Sequence, residues 1–381
     1  MAPIKVGIIG VGQELSNTYK TGEWGIHHLH ALVASPAYDV VAICNSTVES
    51  ASRSIRAHGL DPQAVKAYGS AEDLAADPAV DLVIVAVHVD KHVQLAKPAI
   101  EAGKDVMVEF PLARDLAGCE ELAQLAQKKG VRTMCGTQAY SDATYAKLGR
   151  LVREGAVGEV VSVAVLGTSP ISVAAGWPES AAMFLDIDGG ANRIRIQLGH
   201  FLGAFSRALG DFATVKSVYK TQTKTTTLLD ATMRPSRTDY PVTAPDTMLL
   251  QGVLTSGAAA TVHLRCSAGT PVDGVGFRWL ISGTEGEMEL TSPVGFVQTG
   301  SGGSTLKVRK WGDEAAQEVS LLQPAAEEPA SIEGLDGPAV NISRAYEAFA
   351  RGEERGYATF ETGLGIHRLL AQTTKEAVWA L

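Results

Sequence analysis

The sequence predicts an α/β chain in two parts. Residues 1–137 read as a doubly wound parallel sheet, and residues 138–381 as a mostly antiparallel, open-faced sheet with helices on one face. Three observations carry this reading. A buried-strand pattern, Ile4 to Ile9, runs directly into closely spaced glycines. Apolar runs then alternate with helical patterns as far as Thr137. Beyond that point strand follows strand, with few long helices between.

In the first part the apolar runs Val40–Cys44, Leu82–Val87, Lys104–Glu109 and Arg132–Cys135 predict strands. Helical spacing predicts helices over Trp24–Leu32, Val48–His58, Ser70–Asp77, Val93–Ala102 and Leu116–Lys129. Gly59, Gly103 and Gly130 or Pro78 close the last four. Strand–helix alternation with short connections gives a parallel sheet covered on both faces. Ligands of such sheets bind at the carboxyl ends of the strands. The residues to read there are Gly10–Gln13, Asn45 and Ser46, His88–His92, and Glu109–Pro111.

In the second part a helix over Tyr145–Glu154 precedes strands Val160–Gly167, Thr214–Lys220, Thr247–Leu254, Ala258–Arg265, Phe277–Ser282 and Met288–Thr291. Thr255-Ser-Gly257 reads as a hairpin turn. One face of this sheet should pack on helices, and its open face should seek a second subunit in a homodimer or homotetramer. Thr221–Pro245 and Gly300–Ser304 look weakly structured, the first long enough for a flap or an exposed insertion. Ile342, Ala345, Tyr346 and Phe349, then Ile366, Leu369, Leu370 and Thr373, recur at the spacing of core helices.

At 381 residues, 45% hydrophobic and 20% charged, the chain has the make-up of an ordinary globular protein of two domains. A net charge of −9 without a dense Lys/Arg block argues against nucleic acid or an anionic membrane as partner. No apolar stretch is long enough to span a bilayer, and with a strand pattern from Ile4 onward no signal peptide is expected. Cys44, Cys119, Cys135 and Cys266 lie far apart, as free thiols in a reducing, cytoplasmic setting would.

Glycines at the first strand end let main-chain N–H groups approach a pyrophosphate, with the next helix turning its positive end toward it. Leu15 replaces the third glycine of G-x-G-x-x-G, and a polar run, Gln13–Glu23, separates turn from helix. A glycine turn kept only for packing helix on strand is the plainer alternative. His27, His28 and His30 crowd the first helix; a helix start or a packed surface explains them more cheaply than a metal, and none is predicted.

The ordered pieces Gly7-Ile-Ile-Gly-Val-Gly12, Asp81–Val87 followed by His92, Ala102–Leu112, Gly155–Val160, Gly189-Gly190 running to Gly199-His200, and Ser282–Glu287 resemble the glucose–fructose oxidoreductase / inositol dehydrogenase (Gfo/Idh/MocA) family over nearly the whole length. The lengthened first loop ending in Trp24-Gly25-Ile26-His27, strand two ending in Cys44-Asn45-Ser46, and Leu198-Gly199-His200-Phe201 are most similar to the branch of the fungal galactose regulator Gal80 and its enzyme-like relatives.

That resemblance implies a Rossmann domain binding NADP or NAD, with Gly10, Val11, Gly12, Trp24, Asn45, Ser46, His88, His92, Glu109, Phe110 and Pro111 around the dinucleotide. It also exposes two departures. Where the family has Glu-Lys-Pro this chain has Glu109-Phe110-Pro111, and where an Asp stands four residues before the late His it has Ile196. Phe110 neither donates, accepts nor carries charge. His200 is the remaining candidate for proton transfer, with His88 and Lys91 behind it; a structural histidine is the competing reading. Asn45, in place of a ribose-binding carboxylate, does not repel a 2′-phosphate, and Ser46 or Arg53 could contact one, so NADP is favoured. The competing reading is an Asn kept for its turn-forming habit.

Phe110, Tyr140, Trp177, Arg193 or Arg195, and His200 are the candidates for holding a small-molecule substrate. The expected function is an NAD(P)-dependent oxidoreductase acting on a carbonyl or alcohol. The alternatives are a nucleotide-sensing regulatory protein of the Gal80 kind and a non-redox isomerase, lyase or cyclase on the same scaffold.

Overall fold

A computed structural model describes residues 2–15, 22–169, 173–267, 269, 271–293, 303–321 and 328–380. Part of the polar run Gln13–Glu23 and the start of Gly300–Ser304 therefore lie outside the described residues. The chain divides into two compact units. One is Met1–Ser141 with Glu328–Arg368, and the other is Asp142–Glu327 with Leu369–Leu381.

The first unit is built on six parallel strands: β1 (Ile4–Ile9), β2 (Tyr38–Cys44), β3 (Lys66–Tyr68), β4 (Leu82–Val85), β5 (Asp105–Glu109) and β6 (Thr133–Gly136). Their order, β3-β2-β1-β4-β5-β6, is that of the doubly wound nucleotide-binding fold, and it reverses direction between β1 and β4. The crossovers are α1 (Glu23–Val33), α2 (Val48–Ala57), α3 (Ala71–Ala76), α4 (His92–Glu101) and α5 (Leu116–Lys129). Thr47, Ser70 and Asp115 cap α2, α3 and α5 by accepting from Ser50, Asp73 and Gly118 N–H, and Gly130 ends α5 in the left-handed conformation. Strand β3 has no counterpart in the sequence reading, because three residues of which none is fully buried leave no apolar run.

The return segment Glu328–Arg368, which the sequence reading places in the second part, groups with the first unit. The stripe Ile342, Tyr346 and Phe349 along α8 (Pro338–Arg351) enters the same core as Leu29, Leu32, Tyr38 and Ile84. Burial of each such side chain contributes roughly 1.5–3 kcal/mol.

The second unit holds α6 (Ala143–Arg153), β7 (Val160–Ser169), β8 (Trp177–Pro178), α7 (Gly199–Leu209), β9 (Phe212–Lys220), β10 (Thr225–Leu229), β11 (Pro235–Pro241), β12 (Thr247–Leu254), β13 (Ala259–Cys266), β14 (Phe277–Gly283), β15 (Gly286–Ser292), β16 (Thr305–Lys310) and β17 (Gln317–Val319). The division between units falls within α9 (Phe360–Lys375), after which β18 (Val378–Ala380) follows. Nine strands form the main sheet, β17-β16-β15-β14-β7-β13-β12-β9-β18, antiparallel except for β7–β13 and β9–β18. Val163 and Val165 of β7 are buried while Ala164 and Leu166 between and beyond them are exposed, so one face is covered and one open. Trp279 fills the covered face, stacked on Tyr145 of α6 and edged by Phe201 of α7.

Thr221–Pro245, expected to be weakly structured, instead carries β10 and β11, which with β8 make a three-stranded sheet. Its periodicity is hidden because β11 is exposed almost throughout; Leu228 and Val242 join Val173, Trp177, Ala181 and Leu185 in a small core, with the partly buried Tyr240 packed against it.

Candidate functional site

In the first unit the carboxyl ends of β1, β2, β4 and β5 bring together most of the expected residues. Gly10 sits at φ 99° with its Cα against the next strand; a Cβ there would lie 2.5 Å from Ala86 O. Gly25 of α1 takes the place of the missing third glycine. A Cβ on it would come within 2.1 Å of Gly10 O, so only glycine lets α1 rest on the turn. The signal for it was present in Trp24-Gly25-Ile26, displaced by the lengthened loop.

The turn is held by Asn45 at the end of β2, Ser54 of α2 and His58 just after it. Val11 N–H donates to Asn45 Oδ1 at 3.0 Å, while Asn45 Nδ2 and Ser54 Oγ donate to Val11 O at 3.0 and 2.7 Å. His58 Nε2 lies 2.8 Å from Gly12 O. Gly10 and Gly12 N–H donate to Cys44 O and Gly22 O. Asn45 thus braces the glycine turn with both ends of its amide, and Ser54 and His58 engage its carbonyls as well. These bonds also engage the N–H groups of Gly10, Val11 and Gly12, so the turn is a rigid support. The residues present fit a dinucleotide through the positive N-terminal end of α1, which Gly25 lets rest on the turn. Ser46 and Arg53 are exposed beside it, and Trp24 is half-buried, its ring edge-on to His27.

At the end of β4, His88 is partly exposed, caps the 3-10 turn Val89–Lys91 and lies 3.3 Å from Asp90; Lys91 is exposed. His92 is buried, with Nδ1 2.9 Å from Pro111 O and Nε2 3.0 Å from Val87 O. Burial holds its pKa below the ordinary imidazole value. The ring ties the β4 end to the β5 end.

Glu109 at the end of β5 is the centre of a buried network that the sequence did not reveal. His28 Nε2 donates to its Oε1 at 2.6 Å, and Gln138 Nε2 donates to both oxygens at 2.9 and 3.0 Å. An ionised carboxylate only accepts, so His28 carries its proton on Nε2 and its Nδ1 accepts from Tyr346 OH at 2.6 Å. Burial raises the Tyr346 pKa far above that of a free phenol, which keeps this hydroxyl a donor. His28 shares the apolar face of α1 with Gly25 and Leu32, which its spacing does show. Tyr346 lies 318 residues away, and no spacing predicts that. The Phe110–Pro111 peptide is cis. The Phe110 ring is buried against His367 of α9, at 5.4 Å between centroids, and His367 is a second residue that sequence reasoning missed. Tyr140 is half-buried on the turn Gln138–Ser141 of this unit.

The other candidates lie in the second unit. Trp177 is buried in the small core and donates its Nε1–H to Ala181 O at 2.7 Å. Arg193 is buried with its guanidinium 5.4 Å from the Trp177 ring centre, and Arg195 donates to Gly189 O at 3.1 Å. A π-helical turn, Ile194–Leu198, carries Ile196 and leads into α7, whose first turn places His200 in the interior. Among the described residues no cluster of His, Cys, Asp or Glu could hold a metal, and no helix is long and apolar enough to cross a membrane.

A parallel sheet of this order with a glycine turn at its switch point defines the class: an α/β protein with a Rossmann unit. Residues 4–137 match the oxidoreductase family with the NAD-binding Rossmann fold (GFO_IDH_MocA), and residues 144–292 match the Gal80p C-terminal domain (Gal80p_C-like). The chain is 31% identical over 293 residues to the dehydrogenase aclE of Aspergillus oryzae, covering 76% of this chain and 77% of that one. It therefore belongs to the Gfo/Idh/MocA oxidoreductase family.

It is also 26% identical to the galactose/lactose metabolism regulatory protein GAL80 of Kluyveromyces lactis, over 78% of this chain and 65% of that one. Among solved structures, a super-repressor mutant of Gal80p from Saccharomyces cerevisiae superposes with a TM-score of 0.83 at 20% identity, covering 98% and 96% of the two chains. Levoglucosan dehydrogenase in complex with NADH and L-sorbose gives 0.76 at 18% identity, covering 99% and 97%. These two likenesses are of fold.

Proposed function

We propose that this protein is an NAD(P)-dependent oxidoreductase that acts on the carbonyl or alcohol of a small molecule less polar than a sugar. The observation that carries the reading is the braced glycine turn. Gly25 packs on Gly10, and Asn45, Ser54 and His58 hold the turn rigid beneath the N-terminal end of α1, which is the end suited to a pyrophosphate. When bound, the nicotinamide supplies or accepts hydride. Val11, Gly12 and the start of α1 orient the dinucleotide, and the exposed Ser46 and Arg53 beside Asn45 favour NADP. Phe110 presents a ring where the family carries an ammonium, which excludes water and suits an apolar substrate. His200 serves as acid/base, with His88 and Lys91 the accessible polar groups at the β4 end.

The open face of the nine-stranded sheet, with exposed Leu166, Val218 and Val253, supports assembly into a homodimer or homotetramer. Phe110 and Ile196 together favour a second reading, a Gal80-like sensor in which nucleotide occupancy changes a protein surface without chemistry.

Titration with NADPH and NADP, followed by a carbonyl panel, separates the two readings. Binding with loss of nicotinamide absorbance supports the enzyme, binding without turnover supports the sensor, and absence of binding removes both. His200→Ala should abolish turnover while leaving dinucleotide affinity intact; retained activity would take His200 out of the reaction.

A further inference from the structure

Arg193 is 1% exposed, and none of its three guanidinium nitrogens has a hydrogen-bond partner. A guanidinium keeps its charge at any physiological pH and brings five N–H donors in a rigid fork. Buried without a counter-charge, such a group is strongly unfavourable, and it persists in folded proteins where something pairs with it. Among the described residues no carboxylate forms an ion pair or hydrogen bond with this guanidinium. Asp246, whose charge like that of Arg193 reaches Cys266, is itself occupied by the N–H groups of Gln222 and Thr223 at 2.9–3.1 Å.

The surroundings are arranged rather than loose. Asn192 donates to Ile187 O at 2.6 Å and Gly189 O at 3.1 Å and accepts from Arg195 N–H at 3.0 Å, which fixes the backbone on both sides of Arg193. The π-helical turn that starts at Ile194 is a device found often at functional sites. The Trp177 ring lies under the guanidinium, and because its Nε1–H is taken by Ala181 O the indole offers only its face. Stacking of this kind leaves the guanidinium edge to meet a planar acceptor two bonds at a time. One buried cation balances one negative charge. A carboxylate matches it in shape and charge, whereas a phosphate dianion would bring one negative charge more than the guanidinium balances.

We infer that Arg193, backed by Trp177, binds the carboxylate of an otherwise apolar small molecule, so that the substrate class is a hydroxy or oxo carboxylic acid. The inference rests on the oxidoreductase reading only in taking that molecule for the substrate.

The test uses the whole chain and benzoate as probe, followed by calorimetry and by tryptophan fluorescence, with benzamide and inorganic phosphate as comparators. Benzoate should bind and perturb Trp177 emission, a change lost in Trp177→Phe. Benzamide and phosphate should bind at least about 30-fold more weakly. Arg193→Met should weaken benzoate by at least about 30-fold while its ligand-free Tm stays level or rises, since an unpaired charge has been removed. Arg193→Lys, keeping charge without the fork, should fall between. Equal binding of benzamide or phosphate, undiminished benzoate binding in Arg193→Met, or a lowered Tm or failed folding of that variant would each overturn the inference. Dinucleotide titration of the same samples keeps the two claims apart. Dinucleotide binding without benzoate binding sinks this inference alone, and benzoate binding without dinucleotide binding sinks the redox reading while the carboxylate site stands.

Discussion

Glu109 and Arg193 are both buried and both carry the charge that proteins rarely hide, yet the fold treats them in opposite ways. Glu109 receives hydrogen bonds from His28, Gln138 and the Phe110 N–H, and His28 is in turn bonded by Tyr346. Arg193 has an aromatic face beneath it and no hydrogen bond to its guanidinium. Burial of a charge is tolerable when its partners come from the same chain, and then the group is a fixed part of the scaffold. When the chain withholds partners, the group is set up for something that arrives. The first unit therefore has a rigid strand end, and the second a residue awaiting its counter-ion.

Substitutions break or sharpen this contrast. Glu109→Ala strips the acceptor from three buried donors and should cost about 3–5 kcal/mol in denaturant unfolding; a loss under 1 kcal/mol would show that the network is not structural. Gly25→Ala forces a methyl group into Gly10 O and should cost about 1–3 kcal/mol. Dinucleotide affinity should fall with it, and wild-type affinity would mean that the turn is not the binding site.

Acid acts on the same unit. Burial lowers the folded pKa of His92 below the unfolded value of 6.5, and burial also lowers that of His27. The unfolded chain therefore takes up protons that the fold refuses. Stability should be level above pH 6.5 and decline as pH falls below it, by at most about 1.4 kcal/mol per pH unit for each histidine. His92→Gln should flatten that acid limb; an unchanged slope would place the effect elsewhere. The smallest effect belongs to Ser46→Asp, which adds a carboxylate at an exposed position. It should shift preference from NADPH toward NADH by roughly tenfold with stability changed by less than about 0.5 kcal/mol.

Much of the first unit was legible because its signals are local. Leu116–Lys129 begins after Asp115 and ends at Gly130, as capping chemistry requires. The runs Leu82–Val85 and Asp105–Glu109 are apolar because both faces of a parallel sheet are covered. Strand β11 was illegible for the converse reason, since exposed residues such as Ser236, Thr238 and Asp239 bear no period. Asn45 was singled out at the right place, at the end of β2, but its observed contacts are with Val11 of the turn, and residue type does not reveal a partner 34 positions away.

The sequence by itself determined the alternation of the buried strands and helices of the first unit, the glycine turn, and the loss of the family's Lys and Asp, because backbone preference, apolar period and residue identity are read over a few neighbouring residues. Only the tertiary structure decided that Gly25 replaces the third glycine, that α8 brings Tyr346 to His28 and so to Glu109, and that Arg193 is left without a partner. These depend on contacts between residues far apart in the chain, and a hydrogen bond made or withheld across such a distance leaves no mark on local spacing.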